Sequence, residues 1–254
     1  MRYLRFDDAG TPRFGRLERE LVTPLDSAPW AGGREAGEPR PYAGLRLLPP
    51  VPPGGKVLCI GRNYLAHARE LGNEVPAEPL VFLKPATSFL PHGGTVLLPP
   101  ESARVDFEGE LALVVGRRVR RASREEAAGA VFGATPALDV TARDLQKKDG
   151  QWWRAKGFDT FCPVGPVVAE GFDASDVRLR TLLDGEVRQD ARTSQMIFDP
   201  ATLVSWVSQA MTLEPGDLLL TGTPEGVGPL SDGQLLELEI EGLERLSVRI
   251  AKER

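Results

Sequence analysis

Short strand-like patterns, separated by turns rich in glycine and proline, recur along almost the whole sequence and limit the folds that this chain can adopt. The alternation predicts strands over residues 2–7, 13–18, 20–23, 57–60, 80–83, 95–98, 110–115, 164–168, 179–183, 186–189, 217–221, 235–240 and 246–250. Helical periodicity is limited to residues 63–71, 123–131 and 200–209. Because strands and helices do not alternate, we expect a β-rich α+β fold, a mixed β-roll or sandwich, instead of a doubly wound parallel sheet.

One run of prolines interrupts this pattern near the beginning of the chain. Residues 49–55 read PPVPPGG, and proline both fixes the backbone and removes a hydrogen-bond donor, so the run cannot lie inside a helix or a sheet. It is typical of a stiff linker. We therefore predict a small N-terminal β domain over residues 1–50 and a larger domain over residues 51–254.

Composition and charge exclude several classes of protein. The net charge is -5 and the only dense basic tract is RRVRR at residues 117–121, so a nucleic-acid partner is not expected. No long uncharged apolar run is present, and the first eight residues carry charges where a signal peptide needs an apolar core. We expect a cytoplasmic protein with no membrane partner. Cys59 and Cys162 lie in apolar contexts and are interpreted as buried small hydrophobes.

Two acids stand next to an apolar run in the sequence VDFEGEL. If this segment is extended, Glu108 and Glu110 project to the same side because side chains two residues apart share a face of a strand. Two adjacent carboxylates repel each other, so they need either water or a cation. An exposed strand edge would explain the pair, but the strand continues directly into apolar residues, which favours a site for a hard cation.

A third acid, Asp139, lies within the apolar run ATPALDV, where an unsatisfied carboxylate would be costly. Three carboxylates would leave about three of the usual six magnesium positions for water or substrate. A 2-oxo acid can occupy two of them through its carboxylate and its carbonyl oxygen. The metal would then polarise the carbonyl and stabilise an enolate.

Several motifs, in a fixed order, resemble one known family. They are GRNY at residues 61–64 followed by His67, FLKP at 82–85, the Glu108 and Glu110 pair, Asp139 with ARD at 142–144, KGFD at 156–159, and LTGTP at 220–224 with Gly226 and Gly228. In this order they resemble the fumarylacetoacetate hydrolase family, and the resemblance covers roughly residue 56 to the end of the chain. It implies a mixed β-roll with a metal site at one end, and usually a homodimer.

The resemblance also implies roles for individual residues. The metal ligands would be Glu108, Glu110 and Asp139, holding Mg²⁺, with Mn²⁺ or Ca²⁺ as alternatives. The catalytic residues would be His67 and Glu70, an acid–base dyad on a short helix, together with Lys156. The substrate-binding residues would be Arg62, Tyr64, Lys84, Arg143, Gln146 and Thr223.

The residues themselves support part of this assignment. His67 and Glu70 are three apart on the predicted helix and are therefore neighbours, and a carboxylate raises the basicity of an adjacent imidazole. An exposed pair without a role is the alternative, which the position directly after GRNY disfavours. Lys84 would neutralise the acids or simply end a strand.

The implied activity is that of a metal-dependent isomerase, lyase or C–C hydrolase on a small 2-oxo or 2,4-dioxo carboxylate. The chain most resembles 2-hydroxyhepta-2,4-diene-1,7-dioate isomerase and 5-carboxymethyl-2-oxo-hex-3-ene-1,7-dioate decarboxylase, enzymes of aromatic catabolism. Hydrolysis of an acylpyruvate and decarboxylation of oxaloacetate are the alternatives. From another class, the chain would be a non-catalytic β protein stabilised by a divalent metal.

Overall fold

The computed structural model describes residues 1–70 and 74–253, apart from the side chain of Ala68. The strands are β1 (Arg2–Asp8), β2 (Thr11–Glu18), β3 (Leu21–Leu25), β4 (Arg40–Pro41), β5 (Leu47–Leu48), β6 (Val57–Gly61), β7 (Leu80–Lys84), β8 (Phe89–Pro91), β9 (Thr95–Leu98), β10 (Val105–Phe107), β11 (Gly109–Val115), β12 (Val131–Leu138), β13 (Thr141–Ala142), β14 (Cys162–Val164), β15 (Val167–Glu170), β16 (Arg178–Leu183), β17 (Glu186–Arg192), β18 (Leu218–Leu220), β19 (Gly228–Pro229), β20 (Leu235–Ile240) and β21 (Leu246–Lys252). The α-helices are α1 (Leu65–Glu70), α2 (Arg124–Ala128), α3 (Arg143–Lys148), α4 (Trp153–Gly157) and α5 (Pro200–Ala210).

The strands form three sheets. The largest runs in the order β4-β3-β2-β1-β15-β12-β11-β18-β6-β7, with β5, β8 and β14 attached to it. A second sheet runs β17-β16-β20-β21-β9, and β10 lies between β13 and β19 in a third. Most neighbours are antiparallel, as expected when hairpins and short loops connect strands. The expected β-rich α+β fold is confirmed.

The central strand β11 carries the core on both of its faces. Leu111 and Leu113 point into the larger hydrophobic cluster, whereas Ala112 and Val114 point into a second cluster on the opposite side. This double burial explains why the strand is apolar throughout instead of alternating. Its antiparallel partner β12 pairs Leu138 with Gly109. The beginning of β11 and the end of β12 therefore lie at the same edge of the core.

The N-terminal strands extend the large sheet. Strand β1 pairs with β15 through Arg2 and Ala169, and Leu4 packs in one cluster with Val167. Within the proline run, Val51 lies in the second core cluster together with Val57 of β6. The division of the chain at residue 50 into two domains stays a prediction.

The helices and one strand differ from the sequence predictions. Residues 123–131 were expected to form one helix, but α2 ends at Ala128 and Val131 already begins β12. The predicted strand 164–168 is split into β14 and β15, because Gly165 has φ 102° and cannot continue an extended strand. The predicted helix 63–71 is seen as α1, which begins at Leu65, and its predicted last residue, Leu71, lies outside the described residues. The short helices α3 and α4 were not predicted.

Helix α5 and the two cysteines are as expected. Ser123 and Glu126 form the capping box at the start of α2, and α5 spans the predicted segment with Asp199 as its N-cap. Cys59 and Cys162 are both buried with free thiols. Within the described part of the chain, no helix has the length and apolar character that crossing a bilayer requires.

Candidate metal centre and active site

The three predicted metal ligands meet at the edge where β11 begins and β12 ends. Glu108 precedes β11, Glu110 is its second residue, and Asp139 follows β12 directly. One carboxylate oxygen from each lies within 4.8 Å of the other two. All three residues are at most 5% exposed. The antiparallel register of two core strands thus brings together acids that are distant in sequence.

Glu108 is held by two cations. Its Oε1 accepts a hydrogen bond from Arg143 Nη2 at 2.6 Å, and its Oε2 accepts one from Lys156 Nζ at 2.8 Å. Burial alone would raise the pKa of this carboxyl, but the charges of Lys156 and Arg143 outweigh it and hold the pKa well below its usual range. Glu108 is therefore ionised at neutral pH.

Glu110 has the opposite environment. Its Oε2 accepts a hydrogen bond from the backbone N–H of Gly222 at 2.6 Å, and among the described residues no cationic side chain lies within 4.0 Å of it. Burial, followed by the charges of Asp139 and Glu108, raises its pKa well above the usual value. A cation at this position would relieve the repulsion.

Asp139 has one oxygen that lacks a hydrogen bond. Its Oδ2 accepts from Lys156 Nζ at 2.6 Å, while its Oδ1 lies 2.7 Å from Lys84 Nζ without a hydrogen bond. The Lys84 ammonium donates instead to three backbone carbonyls, those of Val140, Lys156 and Phe161. A buried Oδ1 with a charge beside it but no donor directed at it has a free lone pair.

This donor set fits a hard divalent cation. Octahedral Mg²⁺ with bonds of about 2.1 Å places its ligand oxygens roughly 3 to 4 Å apart, and one oxygen of each carboxylate already lies within 4.8 Å of the other two. The unsatisfied Asp139 Oδ1 and the uncompensated Glu110 both lie in the cluster. The chain therefore offers three oxygen ligands of the kind that Mg²⁺ or Mn²⁺ prefers.

A cavity of about 240 Å³ opens beside this cluster. It is lined by Ile60, Gly61, Arg62, His67, Phe82, Glu108, Arg143, Gln146, Lys147, Trp152, Lys156 and Thr223. Trp152 packs edge-on against Phe82, with ring centroids 5.4 Å apart, and so forms an apolar wall. The volume suits a small ligand, below the range of about 300 to 1,000 Å³ typical of drug-sized sites.

His67 and Glu70 lie together on α1. The Nδ1 atom of His67 is 3.4 Å from Glu70 Oε2, and the same carboxylate accepts the backbone N–H of Gly226 at 3.1 and 3.2 Å. Burial lowers the pKa of His67, and this effect exceeds the opposing influence of Glu108 and Glu70. The imidazole is therefore neutral at pH 7 and able to accept a proton.

Asp106 fixes the arginine of the site. Its carboxylate is fully buried and accepts hydrogen bonds from Arg143 Nε at 2.9 Å and from Arg104 Nε at 2.8 Å. Arg143 then donates to Glu108 and to Gln146 Oε1 with its remaining groups. Asp106 is not among the predicted site residues, although it lies two residues before Glu108 and continues the same spacing.

Gln189 is a second residue of the site that was not predicted from the sequence. Its Oε1 accepts the N–H of Gly109, and its Nε2 donates to Thr223 Oγ1 at 2.8 Å. Thr223 in turn donates to the Gly109 carbonyl at 2.9 Å. A Cβ at Gly109 would lie 2.0 Å from Thr181 Oγ1, so only glycine fits between the two acids. Gln189 is a polar residue within strand β17 at a buried position, and this was the feature that could have marked it as part of the site.

The GRNY segment contributes unequally to the cavity. Arg62 lines it and adopts φ 58°, a left-handed conformation that costs about 1 kcal/mol for a residue with a side chain. Asn63 holds this turn by donating to the carbonyls of Thr221 and Phe198. Tyr64 and Lys84, both predicted to bind substrate, are buried and do not line the cavity. Burial raises the pKa of Tyr64.

A family model described as fumarylacetoacetate (FAA) hydrolase C-terminal matches residues 56–251, and a model described as Rv2993c-like, N-terminal, matches residues 1–50. The chain belongs to the fumarylacetoacetate hydrolase family. The expected family is thus confirmed, and with it the fold that the resemblance implied.

Several relatives of this family member are similar over most of their length. Protein Rv2993c of Mycobacterium tuberculosis is 44% identical over 92% of each chain. The mitochondrial oxaloacetate decarboxylase of Dictyostelium discoideum is 44% identical, over 75% of this chain and 91% of its own. The mitochondrial oxaloacetate tautomerase FAHD1 of Arabidopsis thaliana is also 44% identical, over 78% and 92%.

Two enzymes of known structure have folds similar to that of this chain. The 2-hydroxyhepta-2,4-diene-1,7-dioate isomerase from Mycobacterium marinum superposes with a TM-score of 0.92 at 41% identity, over 100% of this chain and 99% of its own. Fumarylpyruvate hydrolase from Pseudomonas aeruginosa, in complex with Mn²⁺ and pyruvate, has a TM-score of 0.74 and 37% identity over 81% of this chain and 91% of its own. Similar folds in this family therefore carry isomerase and hydrolase activities.

Proposed function

We propose that this protein is a divalent-metal-dependent enzyme that forms an enolate from a small 2-oxo dicarboxylate and completes an isomerisation or a decarboxylation. The observation that carries the proposal is the convergence of three buried carboxylates within 4.8 Å beside a cavity of about 240 Å³. A structural metal site needs no such cavity. The proposed substrates are 2-hydroxy-dienoate and 2-oxo-enoate dicarboxylates, and the similarity to oxaloacetate tautomerase and decarboxylase adds oxaloacetate to them.

The proposed ligands are Glu108, Glu110 and Asp139, with Mg²⁺ or Mn²⁺ as the metal. Bound there, the cation would polarise the 2-oxo carbonyl and stabilise the enolate. Arg143 and Lys156 line the same cavity as paired, fully charged groups. We assign them, together with Gln146, to the substrate carboxylate and the developing oxyanion, where fixed charges in a water-poor site act most strongly.

His67 is the proposed base. Glu70 lies beside its Nδ1, which favours a proton on that nitrogen and leaves the Nε2 lone pair to accept another. Neutral His67 would take a proton from the carbon next to the 2-oxo group and return it elsewhere on the substrate, which moves a double bond. Thr223 lines the same cavity and is proposed to orient the substrate.

Hydrolysis of an acylpyruvate is the second candidate. The same neutral, buried His67 with an adjacent carboxylate could activate a water molecule instead of a carbon acid. The similarity to fumarylpyruvate hydrolase supports this alternative. The two functions differ in whether water attacks the substrate, so their products distinguish them.

The test is a comparison of substrates with metal-stripped protein. Oxaloacetate, 2-hydroxyhepta-2,4-diene-1,7-dioate and acetylpyruvate are each incubated with EDTA, Mg²⁺ or Mn²⁺, and the loss of enol absorbance and the formation of pyruvate are followed. We expect metal-dependent turnover of a dicarboxylate, absent in Glu110→Gln and retained in Glu38→Gln, since Glu38 is exposed. Faster release of acetate from acetylpyruvate would favour the hydrolase. Failure of all three substrates with both metals would contradict the proposal.

A further inference from the structure

The cations that line the cavity fall into two groups. The part of the chain that the structure describes contributes four: Arg62, Arg143, Lys147 and Lys156. Arg143 and Lys156 are buried and bound to carboxylates of the acidic cluster. Among the described residues, Glu108 is the only carboxylate in the cavity wall itself, and it is already shared by these two. The cavity therefore has more positive charge than its own acids neutralise.

Arg62 and Lys147 make up the second group. Within residues 1–70 and 74–253, no carboxylate oxygen lies within 4.0 Å of the charged nitrogens of either side chain, and neither side chain donates a hydrogen bond to another residue. Arg62 is half-buried and Lys147 is exposed. Most arginines near this site are paired, so two unpaired cations in one cavity wall are available to an anion from solution.

The two side chains come from different elements, and among the described residues neither is paired with a carboxylate of the acidic cluster. Lys147 is four residues after Arg143 on α3, so both share one face of the helix, with Lys147 about 6 Å further along the axis. Arg62 approaches from the turn after β6. Its left-handed backbone is followed by Asn63, whose side chain is hydrogen-bonded to the backbone of Thr221 and of Phe198. The arginine is therefore placed by the fold and not by a partner side chain.

We propose that Arg62 and Lys147 together bind the distal carboxylate of a dicarboxylate substrate, whose 2-oxo acid end lies at Glu108 and Arg143. The inference rests on the proposed function and specifies its substrate class. It makes the enzyme selective for 2-oxo dicarboxylates over 2-oxo acids with a neutral tail. Arginine with lysine at the far end of a site discriminates by charge, while the distance from Arg143 discriminates by substrate length.

The test compares two ligands that differ only in distal charge. Binding of 2-oxoglutarate and of its distal amide, 2-oxoglutaramate, is measured by calorimetry with saturating Mg²⁺. We expect the wild-type protein to prefer the dicarboxylate by about tenfold, which corresponds to about 1.4 kcal/mol. The double variant Arg62→Gln/Lys147→Gln should lose this preference and bind the amide with unchanged affinity. The single variants should each lose part of it.

A matched control separates direct contact with the distal carboxylate from the long-range effect of removing two positive charges. Arg69→Gln/Lys148→Gln removes the same two charge types from exposed side chains that do not line this cavity, and it should keep the preference. If the wild-type protein binds both ligands equally, or if the control loses the preference as well, the inference is wrong while the proposed function stands. If neither ligand binds in the presence of Mg²⁺, the proposed function itself fails, and the inference with it.

Discussion

Replacing Glu110 with glutamine should make the metal-free protein more stable and remove its response to Mg²⁺. The carboxylate is 1% exposed, has no cation within 4.0 Å among the described residues, and faces Glu108 and Asp139. A glutamine has nearly the same shape, and its amide oxygen can still accept the N–H of Gly222. The substitution therefore removes the repulsion without removing the hydrogen bond.

The magnitude follows from the burial. Desolvation of an ion inside a protein costs several kcal/mol. Because Glu110 is partly protonated, we expect Glu110→Gln to raise the free energy of unfolding by only about 2 kcal/mol at pH 8. For a chain of this size that raises Tm by about 4 to 8 °C. At 100 times its dissociation constant, Mg²⁺ should stabilise the wild-type protein by about 2.7 kcal/mol. The variant, with two carboxylate ligands left, should gain almost nothing.

The stability difference between Glu110→Gln and the wild-type protein should depend on pH. The pKa of Glu110 is raised above its usual value, so its stabilising contribution is complete below the unfolded pKa and is lost as pH rises through the folded one. The advantage of Glu110→Gln in EDTA should therefore grow from pH 5 to pH 8. Thermal unfolding followed by circular dichroism, with EDTA or MgCl₂ and with Glu38→Gln as control, measures all three effects. A variant that is less stable in EDTA, or that responds to Mg²⁺ like the wild type, would refute the reasoning.

Three further predictions concern the cavity. His67→Gln should lower kcat by about 10² to 10⁴ while oxalate still binds with Mg²⁺ in calorimetry; unchanged turnover would exclude His67 as the base. Because burial lowers the pKa of His67, kcat/KM should stay level above pH 6.5 and fall as pH drops through the lowered pKa, and a profile that falls only above neutrality would contradict this. Asp106→Asn removes the charge that fixes Arg143, so KM should rise roughly tenfold, the worth of a charged hydrogen bond, and metal affinity should change little; a KM equal to that of the wild type would contradict the positioning role.

The elements that the sequence predicted well are those whose signal is local. Strands such as β20 and the capped helices α2 and α5 carry periodicity or capping residues that act within a few positions. The end of α2 was missed because Val131 is recruited into β12 by pairing with β11, a long-range contact that no local pattern reports. Tertiary pairing overrides intrinsic propensity at such boundaries.

The candidate site shows the same limit. Glu108, Glu110 and Asp139 could be proposed from the sequence because acids in apolar runs are unusual. Their convergence depends on the β11–β12 register, which a sequence pattern leaves open. Asp106 and Gln189 act on the site through Arg143 and Thr223, across long stretches of chain, and were therefore missed. The hydrogen bonds that orient these site residues join positions far apart in the sequence, so they exist only once the chain has folded.

Three carboxylates are proposed to hold a divalent cation, and a 2-oxo acid ligand is proposed to complete the coordination of that cation. A crystal structure with Mn²⁺ and oxalate, an enolate mimic, tests it most directly, because the anomalous signal of manganese locates the ion independently of the surrounding density. We expect one manganese peak bonded to an oxygen each of Glu108, Glu110 and Asp139, with oxalate bound to the same ion in the cavity beside His67. A manganese peak elsewhere, or oxalate bound away from the metal, would contradict it.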